Sequence, residues 1–424
     1  KPCIYFSLCQ RSAGAVGTYL GHHRGKVGAH FNTMSQKNII NLSKLSAVER
    51  LFCAALSGDE QARSEIFKSH YSAVGEEALW AFSENEGSSC IVASALRDDL
   101  ELPERWAKSA EVIEAKLTLY LEQLDRVAAA LAEKDIPLVA LKNSGIARGI
   151  CRDLAGCPMG DVDVLVRPSD FRNAHAVMLE LGYEMDDRSP FQVESLDEAE
   201  QHGGSEYTYK LSDGSTLWFE LQWRPVAGRW IQPDQEPPAD ELMERSVPIE
   251  GSAARLLSPE DNLLQVSLHT AKHSYVRAPG FRLHTDVDRI VRGCSIDWDA
   301  FCQYVEKIRV KTAVYLSLSI PTALFNTPVP DEVLKRLNVS PMKNRLLLRW
   351  ISKAGLFGPH DSKWSKLGYI CFNLMLYDNI GGVLRGIFPD GEWMVKHYDI
   401  KRHWTLPFWY GVRMVELVCK RAKT

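Results

Sequence analysis

Six consecutive residues, Asp161-Val162-Asp163-Val164-Leu165-Val166, constrain the fold of this chain more than any other stretch. Carboxylates alternating with valines follow the period of a strand, on which positions two apart point to one side. The valines then face a core. The two carboxylates face the other way, close enough to repel unless a cation neutralises them. A strand of this kind needs a sheet around it.

The flanking sequence supplies one. Pro137 to Leu141 reads as a short buried strand and Asn143 to Leu154 as a loop and helix. Ser169 reads as the cap of a helix running through Leu181, with Gly182-Tyr183 opening the next strand. A charged helical patch follows at Leu196 to Gln201. The runs Glu206 to Leu211 and Thr216 to Gln222 flank Asp213-Gly214, a strong signal for a hairpin. The fold class expected is therefore α+β, a small core with a mixed sheet.

Helical spacing governs the sequence on both sides of that core. From Ser46 to Lys134 apolar residues recur at three and four positions, with one long helix from Pro103 through Leu131. Trp223 to Pro248 is rich in proline and acid and reads as a loop or boundary. Ser258-Pro259-Glu260 then starts a helix, and further helices follow, broken at Pro321, Pro328-Val329-Pro330, Pro341, Gly358-Pro359, Pro389 and Pro407. The organisation expected is a helical lead-in over 34–134, the α+β core over 135–250 and a helical C-terminal domain over 256–424. Residues 1–33 show neither period nor the apolar region of a signal peptide, and are expected to be disordered or translated from upstream sequence.

Charge and cysteine usage remove several classes. With 50 Lys and Arg against 54 Asp and Glu, the net charge of −4 argues against a general nucleic-acid coat or a polybasic membrane binder. No run reaches the roughly 18 apolar residues of a membrane span. The nearest, Leu367 to Phe388, is interrupted by Asn373, Asp378, Asn379 and Arg385. Ten scattered cysteines without a CxxC pair give no zinc ribbon. Cys151 and Cys157 read as small packing residues, reduced, in a cytoplasmic protein. The aromatics Trp393, Tyr398, Trp404, Phe408, Trp409 and Tyr410 read as core packing of the terminal helices.

The chemistry-bearing residues cluster around the Asp-x-Asp strand. Ser144-Gly145 sits at a strand-to-helix turn, where small residues let backbone N–H groups approach a phosphate. Glu220 lies on the second hairpin strand. If that strand pairs beside Asp161 to Val166, Glu220 joins Asp161 and Asp163 in a three-carboxylate metal site. Hard oxygen donors of this kind suit Mg²⁺, which keeps some waters and takes up substrate phosphates. A second group, His269 and His273 with Asp286, places two imidazoles on one helix face. Thr270 stands where the Glu of an HExxH motif would be, so a cleft-lining role on the acceptor side is the better reading. A metal-dependent hydrolase centred on those three residues is an alternative.

The order of small-residue turn, Asp-x-Asp strand and later strand carboxylate resembles the polymerase-beta-like nucleotidyltransferase superfamily. More closely, the chain resembles a bacterial family of uncharacterised nucleotidyltransferases. The residues that carry the likeness are Leu141-Lys142, Gly160 to Val166, Leu181-Gly182-Tyr183, Phe219-Glu220-Leu221 with Trp223, and His269, His273 and Asp286. Phe388-Pro389, Trp393-Met394 and Tyr398 extend it towards the end, so that it covers most of the chain after about residue 40. The family usually has Gly where Asn143 stands, often His in place of Gln222, and a basic residue where Cys157-Pro158 stand. The resemblance implies transfer of a nucleoside monophosphate from an NTP to an acceptor hydroxyl, with pyrophosphate released. It implies two Mg²⁺ ions on Asp161, Asp163 and Glu220, and triphosphate contacts from Lys142, Ser144 and Gly145. The acceptor is expected to be a small molecule or carrier-bound, not nucleic acid in general. The alternative within the same fold is a non-catalytic nucleotide- or partner-binding protein.

Overall fold

The computed structural model of the chain describes residues 45–419, apart from 59, 99, 152, 187–194, 227–229 and 359–362, all within the compact unit Lys37–Thr424. The expectation for residues 1–33 lies outside the described residues, as does the side chain of Trp393.

Five helices come first: α1 (Ala47–Ala55), α2 (Glu60–Val74), α3 (Glu76–Asn85), α4 (Ser89–Leu96) and α5 (Glu104–Ala132). Ser46 starts α1 through a reciprocal cap. Its hydroxyl accepts from the Glu49 N–H, and the Glu49 carboxylate accepts from the Ser46 N–H. Helix α5 buries Leu117, Tyr120, Leu124, Val127 and Leu131, the three- and four-residue rhythm seen in the sequence.

One mixed sheet follows. Its seven strands are β1 (Val139–Ala140), β2 (Val162–Leu165), β3 (Glu184–Asp186), β4 (Gly204–Lys210), β5 (Thr216–Gln222), β6 (Val247–Pro248) and β7 (Arg255–Leu256). They lie in the order β3-β4-β5-β2-β1-β7-β6, with β2–β5 and β1–β7 parallel and the other pairs antiparallel. The helices threaded among them are α6 (Lys142–Gly149), α7 (Phe171–Glu180), α8 (Leu196–His202) and α9 (Ala239–Arg245). Ten more follow among the described residues: α10 (Pro259–Lys272), α11 (Arg282–Gly293), α12 (Trp298–Lys307), α13 (Lys311–Phe325), α14 (Asp331–Leu337), α15 (Pro341–Ala354), α16 (Lys366–Leu374), α17 (Ile380–Ile387), α18 (Gly391–His397) and α19 (Leu406–Cys419). The architecture is α+β.

Several local expectations need correction. Ser169 does not cap α7. Pro168 begins a short 3-10 turn, Asp170 takes the cap position, and the Ser169 hydroxyl donates to the Asp170 carboxylate. The stretch Trp223 to Pro248 is not all loop, because α9 forms within it. Pro238 precedes that helix, and Ala239, Leu242 and Met243 pack under Val139, Leu141 and Leu165. Pro321 does not break a helix. It lies inside α13, where burial of Ile320, Leu324 and Phe325 outweighs one missing hydrogen bond. Asn326, at φ 54°, ends that helix in the left-handed region instead.

The core runs from α1 as far as Phe372 of α16. Phe52 of α1 packs against Phe281 with ring centroids 5.0 Å apart, and Phe281 against Phe357 at 4.9 Å. Two of the terminal aromatics depart from core packing. Trp404 and Phe408 are 76% and 68% exposed. Among the described residues no helix is long and apolar enough to cross a membrane.

Candidate active site

Strand β2 lies inside the sheet between β1 and β5, with Val162 and Val164 fully buried, as the alternation predicts. Its parallel pairing with β5 puts Asp163 in register with Glu220. Asp161, two residues before Asp163, stands exposed at the mouth of the strand. One ligand oxygen from each of Asp161, Asp163 and Glu220 lies within 4.8 Å of the others. The Asp213-Gly214 turn, with Gly214 at φ 83°, sets the hairpin register that delivers Glu220 to this place.

The same register adds acids that the sequence reading did not single out. Glu206 of β4 is paired with Glu220, and Asp186 of β3 with Glu206. Asp186, Glu206, Glu220 and Asp163 thus form one row across four strands. Like charges directly opposed on neighbouring strands repel. Burial, then Glu220, Asp161 and Asp186, push the Glu206 carboxyl up to about 7. The hairpin turn alone could have found Glu206, since it fixes which residue opposes Glu220.

A lysine meets this charge. Lys142, the first residue of α6, has a left-handed backbone at φ 48°. Its Nζ lies 2.5 Å from Asp163 Oδ1 and 3.2 Å from Glu220 Oε2, with the side chain 7% exposed. Gln222 Nε2 donates to the same Asp163 Oδ1 at 3.0 Å. Burial opposes the charge on Lys142, but Asp163, Glu220 and Asp161 outweigh it and hold the ammonium above its ordinary pKa. Burial drives the Asp163 carboxyl well up, against the pull of Lys142. Burial also raises Glu220, yet Lys142 and the hydrogen bond with Asp163 prevail and lower it to about 2. The cluster is short of positive charge, and its donors are all hard oxygens. It fits a divalent cation of the Mg²⁺ type.

Ser144 and Gly145 are placed as fasteners of α6. The buried Ser144 hydroxyl accepts the Asp163 backbone N–H at 2.8 Å, pinning the Asp-x-Asp strand. A Cβ on Gly145 would stand 2.7 Å from the Ala140 carbonyl oxygen, so only glycine lets the helix approach β1 so closely. Asn143 donates to the Pro158 carbonyl at 3.2 Å and holds the loop that leads to Asp161. Cys151 and Cys157, read from the sequence as reduced packing residues, form a disulfide across that loop.

Helix α10, started by the Ser258 cap and Pro259, packs against α6. His269 and His273 meet edge to face with centroids 4.7 Å apart. Burial keeps both neutral, with Lys142 and Lys272 opposing their protonation, and His273 is lowered to about 3. Burial, then Lys142, lowers Lys272, between them in sequence, against the pull of Glu220 and Asp163, and its ammonium donates to the Val226 carbonyl at 3.1 Å. Asp286 is not gathered with the two imidazoles. It pairs with Arg289 at 2.8 Å, and the same guanidinium donates to the Gly156 carbonyl in the loop before Asp161. Among the described residues the three-donor group able to hold a metal ion is Asp161, Asp163 and Glu220, so the His269/His273/Asp286 hydrolase loses its ligand set.

A family model described as an uncharacterised nucleotidyltransferase matches residues 73–326, more than half of the chain and every residue of the site. No curated protein and no solved structure matches it.

Proposed function

This chain belongs to the uncharacterised nucleotidyltransferase family and is a transferase, and we propose that it moves a nucleoside monophosphate from an NTP to an acceptor hydroxyl, releasing pyrophosphate. The observation that carries this reading is the carboxylate triad, with oxygens of Asp161, Asp163 and Glu220 within 4.8 Å of one another on paired strands.

In this reading Asp161, Asp163 and Glu220 hold Mg²⁺, two ions. Bound there, the metal would neutralise charge on the leaving pyrophosphate and acidify the attacking hydroxyl. The protein's own groups do the positioning. Gln222 and Ser144 fix the Asp163 side chain and backbone by hydrogen bonds of 3.0 and 2.8 Å. Lys142 supplies positive charge at the cluster, available to triphosphate oxygens from the same place. Glu220, kept ionised by Lys142, accepts either a cation or the acceptor's proton. The neutral His269 and His273 line the acceptor side. The acceptor itself is a hydroxyl on a small molecule or a carrier.

The test is pyrophosphate release from each NTP with Mg²⁺ over an acceptor panel. Asp161→Ala and Glu220→Ala are expected to stay folded and lose turnover. Wild-type rates in either variant would overturn the assignment.

A further inference from the structure

The cations on the elements that build the site are engaged within the protein. Lys142 pairs with Asp163 and Glu220, Arg224 with Glu236, and Arg289 with Asp286. Arg277, in the turn after α10, lies over the Tyr369 ring, 5.4 Å from its centroid. Lys272 is the exception. Its ammonium can donate more than once, yet among the described residues its hydrogen bond goes to a neutral acceptor, the Val226 carbonyl at 3.1 Å. Neither a carboxylate nor an aromatic ring engages it among those residues. A half-buried cation without a counter-charge is costly to keep. The position suits an anion supplied from outside the chain.

The fold holds this ammonium beside the carboxylate triad. Gln265 and Lys272 lie about two helical turns apart on one face of α10. They donate to the adjacent carbonyls of Pro225 and Val226. Those carbonyls come just after the end of β5, the strand that carries Glu220. Lys272 is thereby kept within electrostatic reach of the cluster: burial and Lys142 oppose its charge, while Glu220 and Asp163 favour it. Two Mg²⁺ ions and Lys142, set against three carboxylates, do not offset the full negative charge of an NTP. A further cation at the phosphates relieves that excess. A second anion, on the acceptor, would enlarge it.

We propose that Lys272 holds the outer phosphates of the NTP, and the pyrophosphate they become, while Lys142 goes on neutralising Asp163 and Glu220. The ammonium serves as a point charge that donates to phosphate oxygens. This assignment rests on the transfer reaction proposed above. It adds a residue from α10 to a site otherwise built from the sheet and α6.

Calorimetric titration of the full chain with pyrophosphate, NTP and NMP in Mg²⁺ tests it. Lys272→Met is expected to bind pyrophosphate and NTP roughly tenfold or more weaker than wild type, the worth of a hydrogen bond between charged groups. Its affinity for NMP should be unchanged, because NMP lacks the outer phosphates. Amine labelling of the wild-type chain, read by peptide mass, decides the matter even if Lys272→Met does not fold. Pyrophosphate should slow modification of Lys272 severalfold. Wild-type pyrophosphate affinity in folded Lys272→Met, or labelling of Lys272 that pyrophosphate leaves unchanged, would overturn the assignment. So would an equal loss of affinity for NMP, which would make the lysine part of the scaffold or of the nucleoside end. Those results leave the transfer reaction standing. A wild-type chain that binds neither NTP nor pyrophosphate would overturn both.

Discussion

Without the Lys142 ammonium, Asp163 and Glu220 would stand in register on adjacent strands with no cation between them. Removing one partner of a buried charge group costs on the order of 3–5 kcal/mol, because the remaining charge stays uncompensated. Lys142→Met is therefore expected to lower the thermal midpoint in chelator. Mg²⁺ or Mn²⁺ should recover most of the loss and, by calorimetry, bind more tightly than to wild type. A midpoint unchanged in chelator would show that the lysine does not neutralise the cluster. Asp161, Asp163 and Glu220 were legible in sequence because strand period and a hairpin turn dictate where carboxylates point. The destination of Lys142 was not. A lysine after a strand reads as a phosphate contact, and only its left-handed backbone turns the side chain onto Asp163. The partner of Asp286 was hidden for a similar reason. Its partner Arg289 is one helical turn away, but what that arginine secures, the Gly156 carbonyl, is 133 residues distant in sequence.

Helix α6 was found from its residues, but the contacts those residues make within the protein were not. Ser144-Gly145 marks a close approach, as expected from small residues at a strand-to-helix turn. The approaching group is the protein's own backbone: the Ala140 carbonyl at Gly145 and the Asp163 N–H at Ser144. Gly145→Ala would force the helix off β1. It should destabilise the protein by about 1–3 kcal/mol, the usual range for overpacking, with the denaturation midpoint lowered at unchanged slope. A substitution without effect would mean that α6 has room to move. The helices missed or misplaced, α9 and the continuous α13, share one cause. Proline in α13, and proline with acidic residues around α9, argue for a break, while residues remote in sequence bury Leu242, Met243, Leu324 and Phe325. Long-range burial outweighs local propensity in both places.

At the scale of the molecule, the core that joins α1 to the C-terminal helices also encloses ionisable groups, and these make acid the expected route to unfolding. His284 of α11 is fully buried. Its Nε2 lies 2.9 Å from the Tyr275 carbonyl, which can only accept, so that nitrogen carries the proton. Nδ1 has no hydrogen-bond partner among the described residues, and protonating it would place an unsatisfied charge in the core. Burial, partly offset by the bond to Tyr275, lowers the imidazole from 6.5 to about 4. The folded state therefore binds fewer protons than the unfolded state between those values. The stability from keeping this ring neutral is complete above pH 6.5 and lost as pH falls towards 4, up to about 3 kcal/mol for this residue. His273, lowered to about 3, acts in the same direction. Denaturant midpoints measured from pH 7 to pH 4.5 should fall for wild type. They should fall less for His284→Gln, whose amide can still donate to Tyr275 but takes up no proton. Parallel curves for the two proteins would show that His284 titrates alike in the folded and unfolded chains.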